Sequence, residues 1–117
     1  SAMTPDPATL DRVFHALADA SRRGMIDRLS RGPASVSELA QPLRMALPSV
    51  VKHLAVLEAG GLVASQKAGR VRTYRLAPGG LSQVEAWVAA RKAALEKQFD
   101  RLEEYLLQQA AGRPEES

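Results

Sequence analysis

Residues 35–76 read SVSELAQPLRMALPSVVKHLAVLEAGGLVASQKAGRVRTYRL, and the first part of this stretch carries start and stop signals for two consecutive helices. Ser35 and Glu38 have the spacing of a capping box, in which each side chain accepts a hydrogen bond from the other residue's amide. Pro48 suits the first turn of a following helix, where its missing N–H is not needed. Gly60 is expected to end that second helix. The pattern predicts a short helix, a tight turn and a longer helix.

The second part of the stretch has the alternating pattern of two short strands. Residues 62–67 and 70–76 are predicted to pair as a β-hairpin, with Gly69 near its tip. An isolated hairpin is barely stable in water, so this one is expected to pack against the helices. A recognition motif over residues 35–61 followed by a wing over residues 62–76 is the layout of a winged helix-turn-helix.

Further helices are predicted on both sides of this stretch. Two short amphipathic helices are expected at residues 8–18 and 20–30, and one long helix at residues 81–109. The fold class is therefore mainly α with a small β-hairpin, in a single domain over residues 3–109. Residues 110–117 contain too little apolar surface to become ordered and are expected to form a flexible tail.

Positive charge is concentrated in one part of the chain. Residues 44–75 contain six lysines and arginines against the single acid Glu58, whereas the remainder is neutral or slightly acidic. Such a confined basic excess is typical of nucleic-acid binding. The predicted DNA-binding residues combine these cations with the outward face of the second motif helix: Arg44, Leu47, Ser49, Val51, Lys52, His53, Lys67, Arg70 and Arg72.

The predicted contacts differ in kind. Lys52 can reach a phosphate or a guanine edge, while Val51 can only contact apolar groups such as a thymine methyl. Arg70, at the wing tip, is placed to enter a narrow minor groove or contact a neighbouring phosphate. For His53, a packing role and a phosphate contact are both open. Arg22 is interpreted as a surface or ion-paired residue rather than as a phosphate contact.

Composition argues against several other functions. The chain of 117 residues has no cysteine and only two histidines, which are far apart in sequence, so no metal site and no disulfide are expected. No arrangement of nucleophile and base is recognisable, and no enzymatic activity or cofactor is expected. No apolar run approaches the length of a membrane span. A cytoplasmic protein without a membrane partner is predicted.

The last helix carries an apolar stripe that is too long for so small a domain to cover. Its near-heptad spacing is typical of an oligomer interface. A homodimer would present two recognition helices to a palindromic operator in double-stranded DNA. The predicted dimer interface contains two residues of the first helix and seven of the last: Leu10, Phe14, Leu81, Val84, Val88, Leu95, Phe99, Leu102 and Leu106.

Several segments resemble the ArsR/SmtB family of bacterial winged-helix repressors. Residues 14–23 (FHALADASRR) resemble that family's LADPTRR opening, residues 36–40 match its VSELA, residues 47–63 (LPSVVKHLAVLEAGGLV) are similar to LPAVSKHLRVLEEAGLV, and residues 69–72 resemble its wing. The resemblance implies a homodimer that represses its own operon and releases DNA when an effector binds.

The family's usual metal ligands are missing from this sequence. The resemblance places metal-binding cysteines on the third helix, where this chain has Ser37, Leu39 and Ala40, and places other ligands on the last helix, which here lacks histidine. The chain is therefore most similar to the non-metal branch of the family.

Three further departures concern the recognition motif. Ala46 stands where the family usually has a capping serine, Val51 replaces a serine, and Arg44 occupies a position where glycine is common. These departures leave two alternatives open. One is an interaction module that kept the winged fold but lost selective DNA binding; the other is a regulator with a small-molecule site at the dimer interface.

Overall fold

The computed structural model describes residues 6–112, which form five helices and one small sheet. The helices are α1 (Pro7–Leu17), α2 (Ala20–Leu29), α3 (Val36–Leu43), α4 (Leu47–Ala59) and α5 (Ser82–Gly112). The strands are β1 (Ala34–Ser35), β2 (Val63–Ala68) and β3 (Val71–Leu76). The winged helix-turn-helix prediction is confirmed, and α4 has Pro48 in its first turn and ends before Gly60, as the sequence predicted.

Side-chain caps explain where α2 and α3 begin. Asp19 accepts from the Arg22 amide at 3.0 Å and starts α2. Ser35 Oγ accepts from the Glu38 amide at 3.2 Å, and Glu38 Oε1 accepts from the Ser35 amide at 3.0 Å, so the predicted capping box is present. The same amide hydrogen bonds hold the pKa of Asp19 and of Glu38 below the usual range, because they stabilise the ionised carboxylates.

The predicted hairpin is part of a three-stranded antiparallel sheet in the order β1-β3-β2. Strand β1 has only two residues, with Ala34 opposite Tyr74 and Ser35 opposite Thr73. A two-residue strand is too short to display alternation, which is why the sequence did not reveal it. The hairpin prediction is corrected in this respect: β1 joins the wing to the start of α3 and stabilises its inner half.

One apolar core holds α1–α4 against the sheet. The buried residues come from α1 to α4 and from all three strands. The largest side chains among them are Met25, Leu39, Leu54, Leu57, Val13 and Val50. Burial of this face fixes the rotation of α4 about its own axis. The opposite face of α4 must therefore point to solvent.

Helix α5 projects away from this core. It continues to Gly112, three residues beyond the predicted end, which corrects the prediction that the flexible tail begins at residue 110. The rest of that tail, residues 113–117, and residues 3–5 of the predicted domain lie outside the described residues. No residue of α5 is buried, and the radius of gyration is 22.3 Å, against about 13 Å for a compact domain of 100 residues. No helix within residues 6–112 is long and apolar enough to cross a membrane.

Candidate nucleic-acid interface

Helix α4 has one buried face and one exposed face. Val50, Leu54 and Leu57 are 0% exposed and pack into the core. Leu47 and Val51 are half exposed on the other side. Their exposed neighbours on α4 include two predicted DNA contacts, Ser49 and Lys52. The structure thus presents these four predicted residues to solvent on the first two turns of one helix, which is where recognition helices contact bases.

The turn that leads into α4 contains two unfavourable residues. Arg44 ends α3 with φ 52° and ψ 39°, the left-handed conformation that a side chain disfavours, at the position where the family commonly has glycine. Ala46 is the N-cap residue of α4 and makes no side-chain cap. Both features cost stability, and both lie beside the face of α4 that would contact DNA.

Replacing the uncapped alanine offers a direct measurement of this cost. We expect Ala46→Ser to raise the free energy of unfolding by about 1 kcal/mol, because serine can accept from the Ser49 amide. Ala46 already has the extended conformation that an N-cap requires, with φ −66° and ψ 144°. The measurement is urea unfolding, with Ala55→Ser on the exposed face of the same helix as the control. The free energy of unfolding of that control is expected to fall by about 0.5 kcal/mol. An equal fall in Ala46→Ser would contradict the expectation that a serine side chain caps α4.

The wing ends in a two-residue turn, Gly69-Arg70, rather than in a strand that begins at Arg70. Gly69 has φ +63°, a conformation that glycine adopts without strain. Arg70 lies exposed at the tip. Lys67 and Arg72 are directly opposite each other on β2 and β3. Like charges in this position repel, so an anion bound at the wing would relieve an unfavourable contact.

The predicted wing cations are not equivalent. Arg72 Nη1 donates to Ser65 Oγ at 2.9 Å, and Ser65 Oγ donates to Glu58 Oε2 at 3.1 Å. These two hydrogen bonds connect Arg72 to Glu58, the only acid of the basic segment. They bind the wing to the end of α4. Tyr74 lies beneath it, and burial, followed by the nearby Glu58 charge, raises the pKa of its phenol.

Other cations of the basic segment have no such partner. Within residues 6–112, no ion pair and no side-chain hydrogen bond forms at Lys52, Lys67 or Arg70. Long side chains without an intramolecular partner can reorient toward phosphates at little cost. The structure therefore leaves Lys52 on α4 and the two wing-tip cations available to a polyanion.

His53 faces the protein rather than bulk solvent. Its side chain is 23% exposed, and Nδ1 lies 3.1 Å from Arg22 Nη1 and 3.9 Å from Asp19 Oδ2. Arg22 also donates to two backbone carbonyls at the end of α1, those of His15 and Ala16. Sequence reasoning interpreted Arg22 as a surface or ion-paired residue; these hydrogen bonds between elements were not detectable from spacing.

The predicted dimer residues divide into exposed and covered ones. Seven are 40–60% exposed, namely Phe14, Leu81, Val88, Leu95, Phe99, Leu102 and Leu106. Leu10 is only 8% exposed and belongs to the core of its own chain, and Val84 packs partly against the core. The interface prediction is thus corrected at Leu10, whose side chain has little area left for a partner. Trp87 joins α5 to α1 through an edge-to-face contact with Phe14 at 5.8 Å.

An open cavity of about 270 Å³ lies where the sheet meets α2 and the start of α5. Its wall is mostly apolar, with Ile26, Leu62, Leu76 and Leu81 lining it and Glu85 as its one charged residue. Within residues 6–112, no three histidines, aspartates or glutamates lie together as metal ligands would.

Comparison with known proteins agrees with this geometry. Residues 17–66 match a family described as a helix-turn-helix domain. The HTH-type transcriptional regulator Rv2034 of Mycobacterium tuberculosis is 46% identical over 72 residues, which cover 62% of this chain and 67% of that protein. The chain spans slightly less of two further curated relatives, 64% and 60% of their lengths.

Two solved structures have the same fold. The crystal structure of an ArsR family transcriptional regulator aligns with a TM-score of 0.75 at 48% identity, covering 80% of this chain and 97% of the other. A homodimeric winged helix-turn-helix DNA-binding domain from Mycobacterium bovis, a possible ArsR-family transcriptional regulator, aligns with a TM-score of 0.60 at 28% identity, covering 74% and 82%. The motifs, the fold and these similarities agree, and the chain belongs to the ArsR/SmtB family of winged helix-turn-helix transcriptional regulators.

Proposed function

We propose that this protein is a homodimeric transcriptional regulator that binds a palindromic operator in double-stranded DNA and represses its own operon, without a metal or other cofactor. The observation that carries the proposal is the combination of an exposed face on α4 with three cations, Lys52, Lys67 and Arg70, that have no partner within residues 6–112. An operator is cytoplasmic in a bacterium, so the protein acts there.

The recognition step follows from the two faces of α4. Its exposed first turns enter the major groove, where Lys52 and Ser49 contact phosphates or base edges. Leu47 and Val51 offer only apolar surface, which suits a thymine methyl group. Arg70 at the wing tip then contacts the adjacent minor groove or its phosphates. Arg44, beside the start of α4, adds a further phosphate contact.

The dimer follows from the apolar stripe of α5. A face of this kind on a helix without buried residues is expected to pack against a second copy. The M. bovis domain of similar fold is homodimeric, which supports the same assembly here. Two-fold symmetry pairs the two recognition helices on a palindromic site, and binding to half-sites one turn of DNA apart requires a separation of about 34 Å between them.

The decisive experiment measures binding to the DNA upstream of the gene, against scrambled DNA, over a series of salt concentrations. We expect selective binding that weakens as salt rises, because phosphate contacts release counterions. Lys52→Ala and Arg70→Ala should each weaken it about tenfold. Each should also flatten the salt slope by about two units per dimer, since each contact contributes roughly 0.9. Lys97→Ala on α5 removes the same charge away from α4 and the wing, and should bind as the unaltered protein does.

Equal and weak binding to both DNAs would contradict the proposal. An operator affinity that Lys52→Ala and Arg70→Ala leave unchanged would also contradict it. Either result would favour the alternative of an interaction module, in which the apolar Ala46, Leu47 and Val51 have removed selectivity.

A second candidate function adds regulation by a small molecule. The observation that favours it is the apolar cavity between α2, the sheet and the start of α5. It adjoins Glu85 of the helix proposed to form the dimer and Leu81, which precedes that helix, so a ligand there would act on the distance between the two recognition helices. The Glu85 carboxylate in the cavity wall suits an apolar molecule with a cationic group.

A further inference from the structure

The guanidinium of Arg22 connects three helices. Its Nε donates to the Ala16 carbonyl at 2.7 Å and its Nη2 donates to the His15 carbonyl at 2.9 Å, both near the end of α1. Its Nη1 lies 3.1 Å from Nδ1 of His53 on α4. Arg22 itself stands in the first turn of α2. Three nitrogens of one planar group thus have separate partners, so the group has a single defined orientation.

The elements that Arg22 joins have different roles in the proposed function. Helix α1 ends at Leu17, and its last carbonyls lack the amide partners of a continuing helix. Arg22 donates to the Ala16 carbonyl and shares the His15 carbonyl with the Ala18 amide, and it is thereby held against the helix that carries Phe14 of the predicted dimer interface. Its third contact is to His53, the residue that follows the exposed Lys52. The connection therefore extends from the dimer side of the domain to the DNA side.

The contact with His53 requires one protonation state. A guanidinium can only donate, so Nδ1 must be the acceptor and the ring must be neutral with its proton on Nε2. A protonated ring donates from both nitrogens and would place two positive charges about 3 Å apart. Asp19, at 3.9 Å, is too far for a hydrogen bond that would replace the lost one.

Other ionisable groups on the elements that pack against α4 do not contact the ring. Within residues 6–112, Asp19 and Arg22 are the only charged groups in ion-pair or hydrogen-bond distance of His53. Within residues 6–112, the remaining ionisable groups of the packed elements make no hydrogen bond or ion pair with the ring. Some have partners elsewhere, as in the Arg28–Glu38 pair and the donation from Arg23 to the Leu17 carbonyl.

We infer that Arg22 is a positioning residue for DNA recognition: through its hydrogen bonds to the end of α1 and its contact with His53 it sets the orientation of α4 relative to α1. The inference rests on the proposed function, since it concerns how the operator is selected. It assigns His53 an internal contact in place of the phosphate contact that the sequence left open.

The test compares four proteins by operator binding and scrambled-DNA binding. Arg22→Lys keeps the charge but cannot make three divergent hydrogen bonds. His53→Leu removes the acceptor, and His53→Asn keeps an acceptor near the place of Nδ1. At pH 8 we expect Arg22→Lys and His53→Leu to lose about tenfold in operator affinity, as a lost hydrogen bond to a charged group implies. His53→Asn should bind within about threefold of the unaltered protein.

The recovery of binding in His53→Asn separates positioning from a purely structural role. We expect the ratio of operator affinity to scrambled-DNA affinity to fall in Arg22→Lys and in His53→Leu, and to return to the value of the unaltered protein in His53→Asn, which keeps the acceptor. Urea unfolding of each variant establishes that it is folded under the binding conditions, and the two His53 variants keep the test valid if Arg22→Lys does not fold.

Three results would overturn the inference. Equal losses of operator affinity in His53→Asn and in His53→Leu would show that the acceptor at Nδ1 is not what positions α4. Full operator affinity in Arg22→Lys would make Arg22 a phosphate contact, because lysine keeps the charge. Unchanged selectivity in both Arg22→Lys and His53→Leu would reduce the connection to a structural contact. If the unaltered protein itself does not distinguish operator from scrambled DNA, the proposed function fails and this inference fails with it.

Discussion

A chain that carries both Phe99→Glu and Leu102→Glu is expected to be a monomer at concentrations at which the unaltered protein is a dimer. Its operator affinity should fall by about 100-fold or more, because two linked half-sites exceed one by roughly 10²–10⁴. Phe99 and Leu102 are 60% and 52% exposed on the α5 stripe. A two-fold interface contains both copies of each substituted residue. The two substitutions therefore place four glutamate charges in an apolar surface.

Sedimentation velocity measures the oligomeric state and a binding titration measures the operator affinity. The matched control is Ala90→Glu with Gln108→Glu, which adds the same charge on the opposite face of α5. We expect that control to remain dimeric. A double variant that stays dimeric would show that residues 99–102 lie outside the interface, and a monomer with full operator affinity would separate DNA binding from dimerisation.

The second large effect concerns the core beneath the recognition helix. Leu54→Ala is expected to lower the free energy of unfolding by about 2–5 kcal/mol, through lost burial and the cavity left behind. Leu54 is 0% exposed and lies among the largest buried side chains. Since a typical domain has only about 5–15 kcal/mol in total, this one substitution removes a large fraction.

Urea unfolding at a fixed protomer concentration checks this expectation, because dimer stability depends on concentration. Val51→Ala, on the exposed side of the same helix, is the control and should change the free energy of unfolding by less than about 0.5 kcal/mol. Similar losses at both positions would contradict the assignment of the buried and exposed faces of α4.

Much of the recognition motif was predictable because its signals are local. The Ser35–Glu38 capping box, the proline at the start of α4 and the glycine at its end act over three or four residues, so spacing alone reveals them. The helical spacing of Val50, Leu54 and Leu57 is equally local and marks the buried face of α4, and with it the side that faces solvent. The basic segment was equally visible, because charge is a property of composition.

Contacts between distant residues could not be predicted in this way. Leu10 and Phe14 lie on the same face of α1 by periodicity, yet only the packing of the other helices covers the first and leaves the second exposed. The sequence marked Arg70 and Arg72 alike, but folding brings Glu58 and Ser65 to Arg72 and leaves Arg70 without a partner within residues 6–112.

The sequence by itself determined the order of the elements, the position of α4 and the concentration of positive charge, because each depends on neighbouring residues or on composition. Only the tertiary structure decided that β1 joins the wing and that Arg22 reaches across 31 positions to His53. Such contacts form after the core has packed, when side chains from separate elements meet at distances that no local pattern encodes.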